Sequence, residues 1–513
     1  MAARRRAIEA NDYDERSGEV SMFRKAMIAA LLAVLGAACS ADRETMTSTS
    51  PAPAAEPSML DASAVLADVA EAMGAQGLES ITLSGSAWNV RNGFRQTPNA
   101  SPPWPYRDYI TSYVRTIDLG APASLATGDT YAQNIFLDPA VPGTYTQNVT
   151  AGQTAWSEQL EIWLTPWGFV RGAQTNGAVA DRRSVGGREY TVLSWMSPES
   201  KTAPSGLRYL VRGYVDDDNL IERVETWVED PFMGDMLVAE VYDDYRDMNG
   251  LMVPRLMEQQ RGGGGIFGVI VTRAVAKPSN LAALMTPPPR SGGGGFPGGG
   301  GQVPDDLVEP LADHVWLING GYVSLVAEFS DHLMVIEAGQ SEARGRQIID
   351  EVRRALPAKP IRYVVNSHPH SDHTAGLVPL IRAGARLVTH ANNVEFLSMA
   401  LGAPRTLLGE QRMSPQVEGV DGVAVYEDEM MRVELHHVPN RHSDGMLVAV
   451  LPDQGILFQA DFTLPQQGAE ANPFVKELAR YVDEHDVQFE RYLAVHAAQV
   501  PQTRADLMAA LDD

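Results

Sequence analysis

Residues 361–373 read IRYVVNSHPHSDH, an apolar run that breaks abruptly into histidine and aspartate. The run 361–365 has the length and branched side chains of a buried strand. Directly after it, His368, His370, Asp372 and His373 crowd into six residues. Two histidines spaced by one project to the same side where a strand ends, because side chains alternate with period two. Asp372 and His373 then fall on the turn that enters a helix. Four nitrogen and oxygen ligands so placed are the equipment of a zinc-type site. Around this stretch the pattern predicts strands at 314–318, 322–329 and 333–336, then a helix at 341–356. Beyond it come a helix near 374–383, a strand at 386–389 and a helix at 392–401. Such alternation predicts layered α/β packing with the site on loops after strand ends.

The motif closely resembles that of the metallo-β-lactamase superfamily of metal-dependent hydrolases. The resemblance covers about 200 residues, from His314 to the C-terminus, and implies an αββα sandwich there. It also implies three further ligands. A histidine just before a strand is His442 in RHSDGMLVAVLP, 74 residues after His368. An aspartate ending the next strand is Asp461 in GILFQADF, and a histidine after a late strand is His496 in RYLAVHAAQ. Two divalent ions follow from the resemblance. One is held by His368, His370 and His442, the other by Asp372, His373 and His496, with Asp461 bridging. Asp372 and Asp461 are the carboxylates assigned to catalysis. Zinc is the default for so many histidines, and iron or manganese also suits the mixed set.

Ligand sets that leave coordination positions open mark a catalytic site rather than a closed structural one. A water between two cations about 3.5–4 Å apart loses a proton near neutral pH and becomes the nucleophile. The same cations stabilise the oxyanion. No serine or cysteine nucleophile is then required, and the sequence contains no G-x-S-x-G elbow.

Spacing narrows the branch. Nucleic-acid-processing members insert a long domain between the bridging aspartate and the last histidine, whereas 34 residues separate Asp461 from His496. The alkylsulfatases carry long C-terminal domains, whereas 17 residues follow His496. The flavin-linked diiron oxidoreductases need a flavodoxin module and usually a glutamate at the place of His370. Most β-lactamases of the family use Cys or Ser at the place of Asp461. The expected activity is therefore hydrolysis of an ester, thioester or lactone in a small-molecule substrate. The alternatives are β-lactam hydrolysis, or a tethered binding or assembly protein with a structural metal site. Among the remaining histidines, His390 is a candidate substrate contact. His436 and His437 read as packed or exposed, and His314, His332 and His485 as surface residues.

The rest of the chain is organised around low-complexity breaks. PPPRSGGGGFPGGGG at 287–301 reads as a flexible linker. It divides an N-terminal domain (59–285, linker 286–303) from the hydrolase domain (304–513). All 11 histidines lie at or beyond His314, so the first domain offers no imidazole chemistry. It reads as a helix at 61–73 followed by a mainly antiparallel β (α+β) domain. Strands are expected at 81–90, 207–215, 220–228, 238–245 and 266–275, and Trp104, Tyr106 and Tyr109 read as core aromatics, with a ligand groove as the alternative.

The stretch 22–39 (MFRKAMIAALLAVLGAAC) has a basic start, an apolar core too short for the ~20 residues of a spanning helix, and small residues before Cys39. It resembles a bacterial lipoprotein signal, although Leu35 stands four residues before the cysteine rather than three. Residues 1–39 then form the signal peptide and 40–58 a polar tether. Export to the periplasmic side of a membrane, with lipid anchoring at Cys39, is expected. Cysteine occurs once, which excludes an intrachain disulfide. The net charge of −24 argues against a nucleic-acid partner.

Overall fold

The computed structural model describes residues 60–90, 107–132, 141–288, 307–464, 471–496 and 502–511. The expected signal peptide, the tether, Trp104, Tyr106 and most of the glycine-rich linker lie outside the described residues.

Helix α1 (Ala62–Ala72) opens the N-terminal region, with the Asp61 carboxylate accepting from the Ser63 and Ala64 amides as its cap. The strands are β1 (Ser80–Val90), β2 (Arg107–Asp118), β3 (Ala123–Ala132), β4 (Val141–Thr150), β5 (Val179–Val185) and β6 (Arg188–Met196). They continue as β7 (Leu210–Val215), β8 (Ile221–Asp230), β9 (Gly234–Asp247), β10 (Met252–Arg261) and β11 (Gly264–Ala276). All pair antiparallel in one sheet ordered β4-β3-β2-β1-β11-β10-β9-β8-β7-β6-β5. The chain meanders outward to β4, crosses to the opposite edge, and meanders back until β11 closes on β1. The crossing carries α2 (Leu160–Trp163) and α3 (Pro166–Asn176), whose Leu160, Ile162, Trp167 and Phe169 are buried. Helix α4 (Leu281–Leu284) follows the sheet. Tyr109 is not a core residue. It is 51% exposed while its neighbour Ile110 is buried, because alternation along β2 sends the two to opposite faces.

The C-terminal region holds two sheets. The first contains β12 (Val308–Ala312), β13 (Val315–Ile318), β14 (Ser324–Glu328), β15 (Leu333–Ile336), β16 (Ile361–Val365), β17 (Arg386–His390) and β18 (Val417–Val420) in chain order. It is antiparallel up to β15 and parallel from β15 to β18. The second runs β19 (Val423–Glu427), β20 (Arg432–His437), β21 (Leu447–Leu451), β22 (Ile456–Gln459) and β23 (Arg491–Ala494), with β22 and β23 parallel. Between and around them are α5 (Glu342–Ala355), α6 (Ser371–Thr374), α7 (Leu377–Arg382), α8 (Val394–Leu401), α9 (Pro473–Glu484) and α10 (Arg504–Met508). One core joins Leu317, Leu325, Met334 and Val365 of the first sheet to Leu435, Ala449, Leu457 and Leu493 of the second. A separate core seats Ile348 and Val352 of α5 on Val326, Leu333 and Val335.

The predicted helix near 374–383 is α7, which begins at Leu377, and the turn expected at Asp372 and His373 is the short helix α6. A side chain at Gly376, between them, would meet the Ala338 carbonyl oxygen at 1.9 Å, so backbone lies directly on backbone there. His332 is buried rather than exposed, stacked on Phe329 with ring centroids 4.6 Å apart.

Candidate metal centre

Strand β16 delivers the motif. After Val365 the Asn366 amide still donates to the Val388 carbonyl, and the chain then bends through residues 367–369, where the Ser367 amide donates to Glu337 Oε1 at 2.8 Å. The rings of His368 and His370 nonetheless converge, with centroids 4.3 Å apart. His370 is extended (φ −60°, ψ 149°) and caps α6, whose turn carries Asp372 and His373. The Asn366 side chain donates to the His373 carbonyl at 3.1 Å and fixes this turn against the strand.

The other residues arrive on neighbouring loops. His442 sits in an Asx turn in which Asn440 Oδ1 accepts from the amides of His442 and Ser443. The Leu447 amide donates to the Ser367 carbonyl, binding that loop to the motif. Asp461 follows β22 and His496 follows β23, and the parallel pairing of these strands sends both to one end of the sheet. The site thus forms at the carboxyl ends of β16, β22 and β23.

Ligand-type atoms of His368, His370 and His442 lie within 4.8 Å of one another, as do those of Asp372, His373, Asp461 and His496. Asp461 joins the two groups. Its Oδ2 is 3.2 Å from His368 Nε2, 3.5 Å from His442 Nε2 and 3.3 Å from His373 Nε2, while its Oδ1 is 2.8 Å from His496 Nε2. His373 Nε2 also faces His496 Nε2 at 3.0 Å, and His442 Nε2 faces His368 Nε2 at 3.3 Å. Imidazole nitrogens converging in pairs on carboxylates form a donor set suited to cations. The buried oxygens Asp372 Oδ1 and Asp461 Oδ2 have no hydrogen-bond partner, which a cation would satisfy.

Electrostatics follow from crowding. Burial, reinforced by the neighbouring imidazoles, pushes the His368 pKa well down and that of His370 to about 3, so both stay neutral and able to ligate. Burial also opposes a charge on His373, but the carboxylates of Asp461, Glu337 and Asp372 outweigh it and push its pKa well up. Burial works against an ionised Asp461, yet the imidazoles of His373, His442 and His368 hold it well below the usual range. The pocket is a seat for positive charge.

Three supporting residues escape a reading of the sequence. Glu337 is 1% exposed and accepts from His373 Nδ1 at 2.5 Å as well as from Ser367. The Ser367 hydroxyl pairs with His368 Nδ1 at 2.8 Å. Each partner leaves Nε2 of its histidine for the centre. The Tyr322 hydroxyl donates to Asp372 Oδ2 at 3.2 Å, with its ring 4.2 Å from that of His496. A visible signal existed only for Glu337, a charged residue closing an apolar strand just before Ala338 and Gly339. His390 is buried at the end of β17 with its ring 3.9 Å from His437. His436 packs between Tyr481 and Glu434.

Residues 318–499 match the family model of the metallo-beta-lactamase superfamily. The C-terminal half carries a metallo-beta-lactamase superfamily domain. Outside the family model, the 2,4-dinitroanisole O-demethylase subunit alpha of Nocardioides sp. (strain JS1661) is 24% identical over 170 residues. That stretch spans 32% of this chain and 48%, about half, of the demethylase subunit. Among solved structures, a metallo-beta-lactamase from Pontibacter korlensis is 16% identical, over 40% of this chain and 98% of its own, with a TM-score of 0.32. One from Hirschia baltica is 17% identical over 40% of this chain and 94% of its own, with a TM-score of 0.30. The metallo-beta-lactamase domain places its candidate ligands on loops, while the antiparallel region before it contributes none of them.

Proposed function

We propose that the C-terminal half is a metal-dependent hydrolase that uses water to cleave an ester, thioester or lactone. Asp461 carries the reading, because one carboxylate touches both ligand groups, an arrangement suited to two ions. His368, His370 and His442 would hold one ion, and Asp372, His373 and His496 the other. When bound, the pair acidifies a water and polarises a carbonyl, with zinc the default and iron or manganese compatible.

The chain's own residues fix that geometry. Glu337 and Ser367 set the tautomers of His373 and His368. Asp372 and Asp461 present acceptor oxygens, and the Tyr322 hydroxyl stands beside them as a donor. The net reaction adds hydroxyl to the carbonyl carbon and a proton to the departing oxygen or sulfur. The two facing sheets, with α5 and α9 outside, fit an αββα sandwich. The N-terminal signal and Cys39 support export and lipid anchoring on sequence grounds alone, and the Gly/Pro-rich stretch supports a domain boundary there.

Initial rates of the zinc-loaded chain would be measured on a thioester, a lactone, an aryl ester, a cephalosporin and a phosphodiester. The likeness to the demethylase subunit adds an aryl methyl ether to that panel. Hydrolysis of an acyl substrate, abolished in Asp461→Ala with circular dichroism unchanged, is the expected outcome. Full activity in that variant would end the bridging role.

A further inference from the structure

A cavity of about 340 Å³ lies where the N-terminal region meets the metal loop. Asp230, Pro231 and Phe232, the turn between β8 and β9, form one side, and the start of α5 (Gln340 to Ala343) another. The remaining wall is Pro369, Ser371, Thr374 and Ala375 with Phe396 of α8. Pro369 and Ser371 alternate along the chain with His368, His370 and Asp372, so this wall belongs to the same loop as the candidate ligands.

The turn is held rigidly. Buried Arg405 donates to the Pro231 carbonyl at 2.7 Å and to Glu410 at 2.6 Å. Asp235 accepts from the amides of Thr406 and Leu407, and its own amide donates to the Pro404 carbonyl. Gly234 has φ +64°, and a side chain there would meet the Pro404 oxygen at 2.2 Å. Phe232 and Phe396 face each other across the junction, ring centroids 6.2 Å apart and tilted 46°.

We infer that this cavity binds an uncharged aromatic group of the substrate, so that the N-terminal region sets substrate choice. The volume is roughly twice that of a 150 Å³ apolar cavity that takes benzene, and it falls in the range of small-molecule sites. Two rings tilted against each other offer edge and face contacts to a third. The charged side chains lining it are already engaged, Glu342 with Arg346 at 3.0 Å and Asp230 with the Phe232 and Met233 amides, and no basic side chain lines it, so a buried carboxylate on a guest would go unpaired. Only the step from binding to specificity rests on the hydrolase reading.

Titration of the full-length chain with 2-naphthol and with 2-naphthoate, followed by fluorescence, tests the cavity without turnover. Naphthol should bind saturably and naphthoate at least about tenfold more weakly. Phe396→Ala should weaken naphthol about fivefold, and Ala343→Phe, which fills the space, should abolish its binding. Naphthol binding untouched by Ala343→Phe, or naphthoate binding as tightly, would overturn the site. The second measurement is kcat/KM for 2-naphthyl acetate relative to methyl acetate. That ratio should fall in Ala343→Phe. An unchanged ratio alongside lost naphthol binding would overturn the link to substrate choice. If neither ester turns over while naphthol binding follows the variants, the ester form of the hydrolase reading fails and the cavity stands.

Discussion

Glu337 holds φ +74°, a left-handed backbone that costs a non-glycine residue about 1 kcal/mol or more. In return its carboxylate reaches both the Ser367 amide and His373 Nδ1. Glu337→Gln keeps the shape and loses the charge that supports the imidazole. Metal affinity should fall about 10–100-fold, read by competition with a chromophoric chelator, and unchanged affinity would count against this role. A second buried carboxylate behaves differently. Burial pushes Glu240 up to about 8, only partly offset by Gln259 and Arg115. From the ordinary value of 4.5 up to about 8, the unfolded chain sheds this proton while the folded chain keeps it. Stability contributed here is therefore complete at low pH and declines as pH rises through that window. Glu240→Gln should flatten this part of the profile and stabilise the protein at pH 8 by a few kcal/mol, roughly. A melting-temperature profile identical to that of the parent would refute it.

At the scale of elements, the metal loop is positioned by glycine contacts. Side chains at Gly345 and Gly376 would meet the Gly376 and Ala338 carbonyl oxygens at 2.2 and 1.9 Å. Helix α5 therefore lies backbone against backbone on the α6–α7 junction, directly after His373. Gly376→Ala should cost about 2–4 kcal/mol and lower metal occupancy together with melting temperature. A variant that melts normally with full metal content would show that the junction tolerates displacement.

Across the whole molecule, the two regions share one core. Leu397, Leu401, Leu407 and Met413 join the cluster that contains Trp167, Phe232 and Val238. Arg405, 1% exposed, ties Pro231 of the sheet region to Glu410 and lies 3.6 Å from Glu342. Removing one partner of a buried pair costs about 3 kcal/mol. Calorimetry should show one transition for the parent, and for Arg405→Ala a lower melting temperature with the transition split. A single unshifted transition would mean that the apolar contacts alone couple the regions.

The ligand motif was legible because its chemistry is local. Strand β16 and the turn after it place His368, His370, Asp372 and His373 within six residues. The remaining ligands were found by resemblance, since nothing local ties His442, Asp461 or His496 to the motif. Asp461 and His496 converge because β22 and β23 run parallel, and His442 arrives on the loop that the Leu447 amide binds to Ser367. In the N-terminal region, β2 was hidden by a buried Arg115 that donates to Tyr113, Ser124 and Gln147 and interrupts the apolar alternation. Helix α3 was not expected from the sequence, and it contains Gly168 and Gly172, residues of low helix propensity. They are required because Ile162 backbone and the Trp195 ring press directly against them. Sequence by itself therefore determined which donor residues the candidate centre offers and the alternation of the elements around it. Tertiary structure alone decided the supports of Glu337 and Tyr322 and the seating of the sheet region on the metal loop. Those contacts join residues far apart in the chain, and their free energy exists only once the backbones have met.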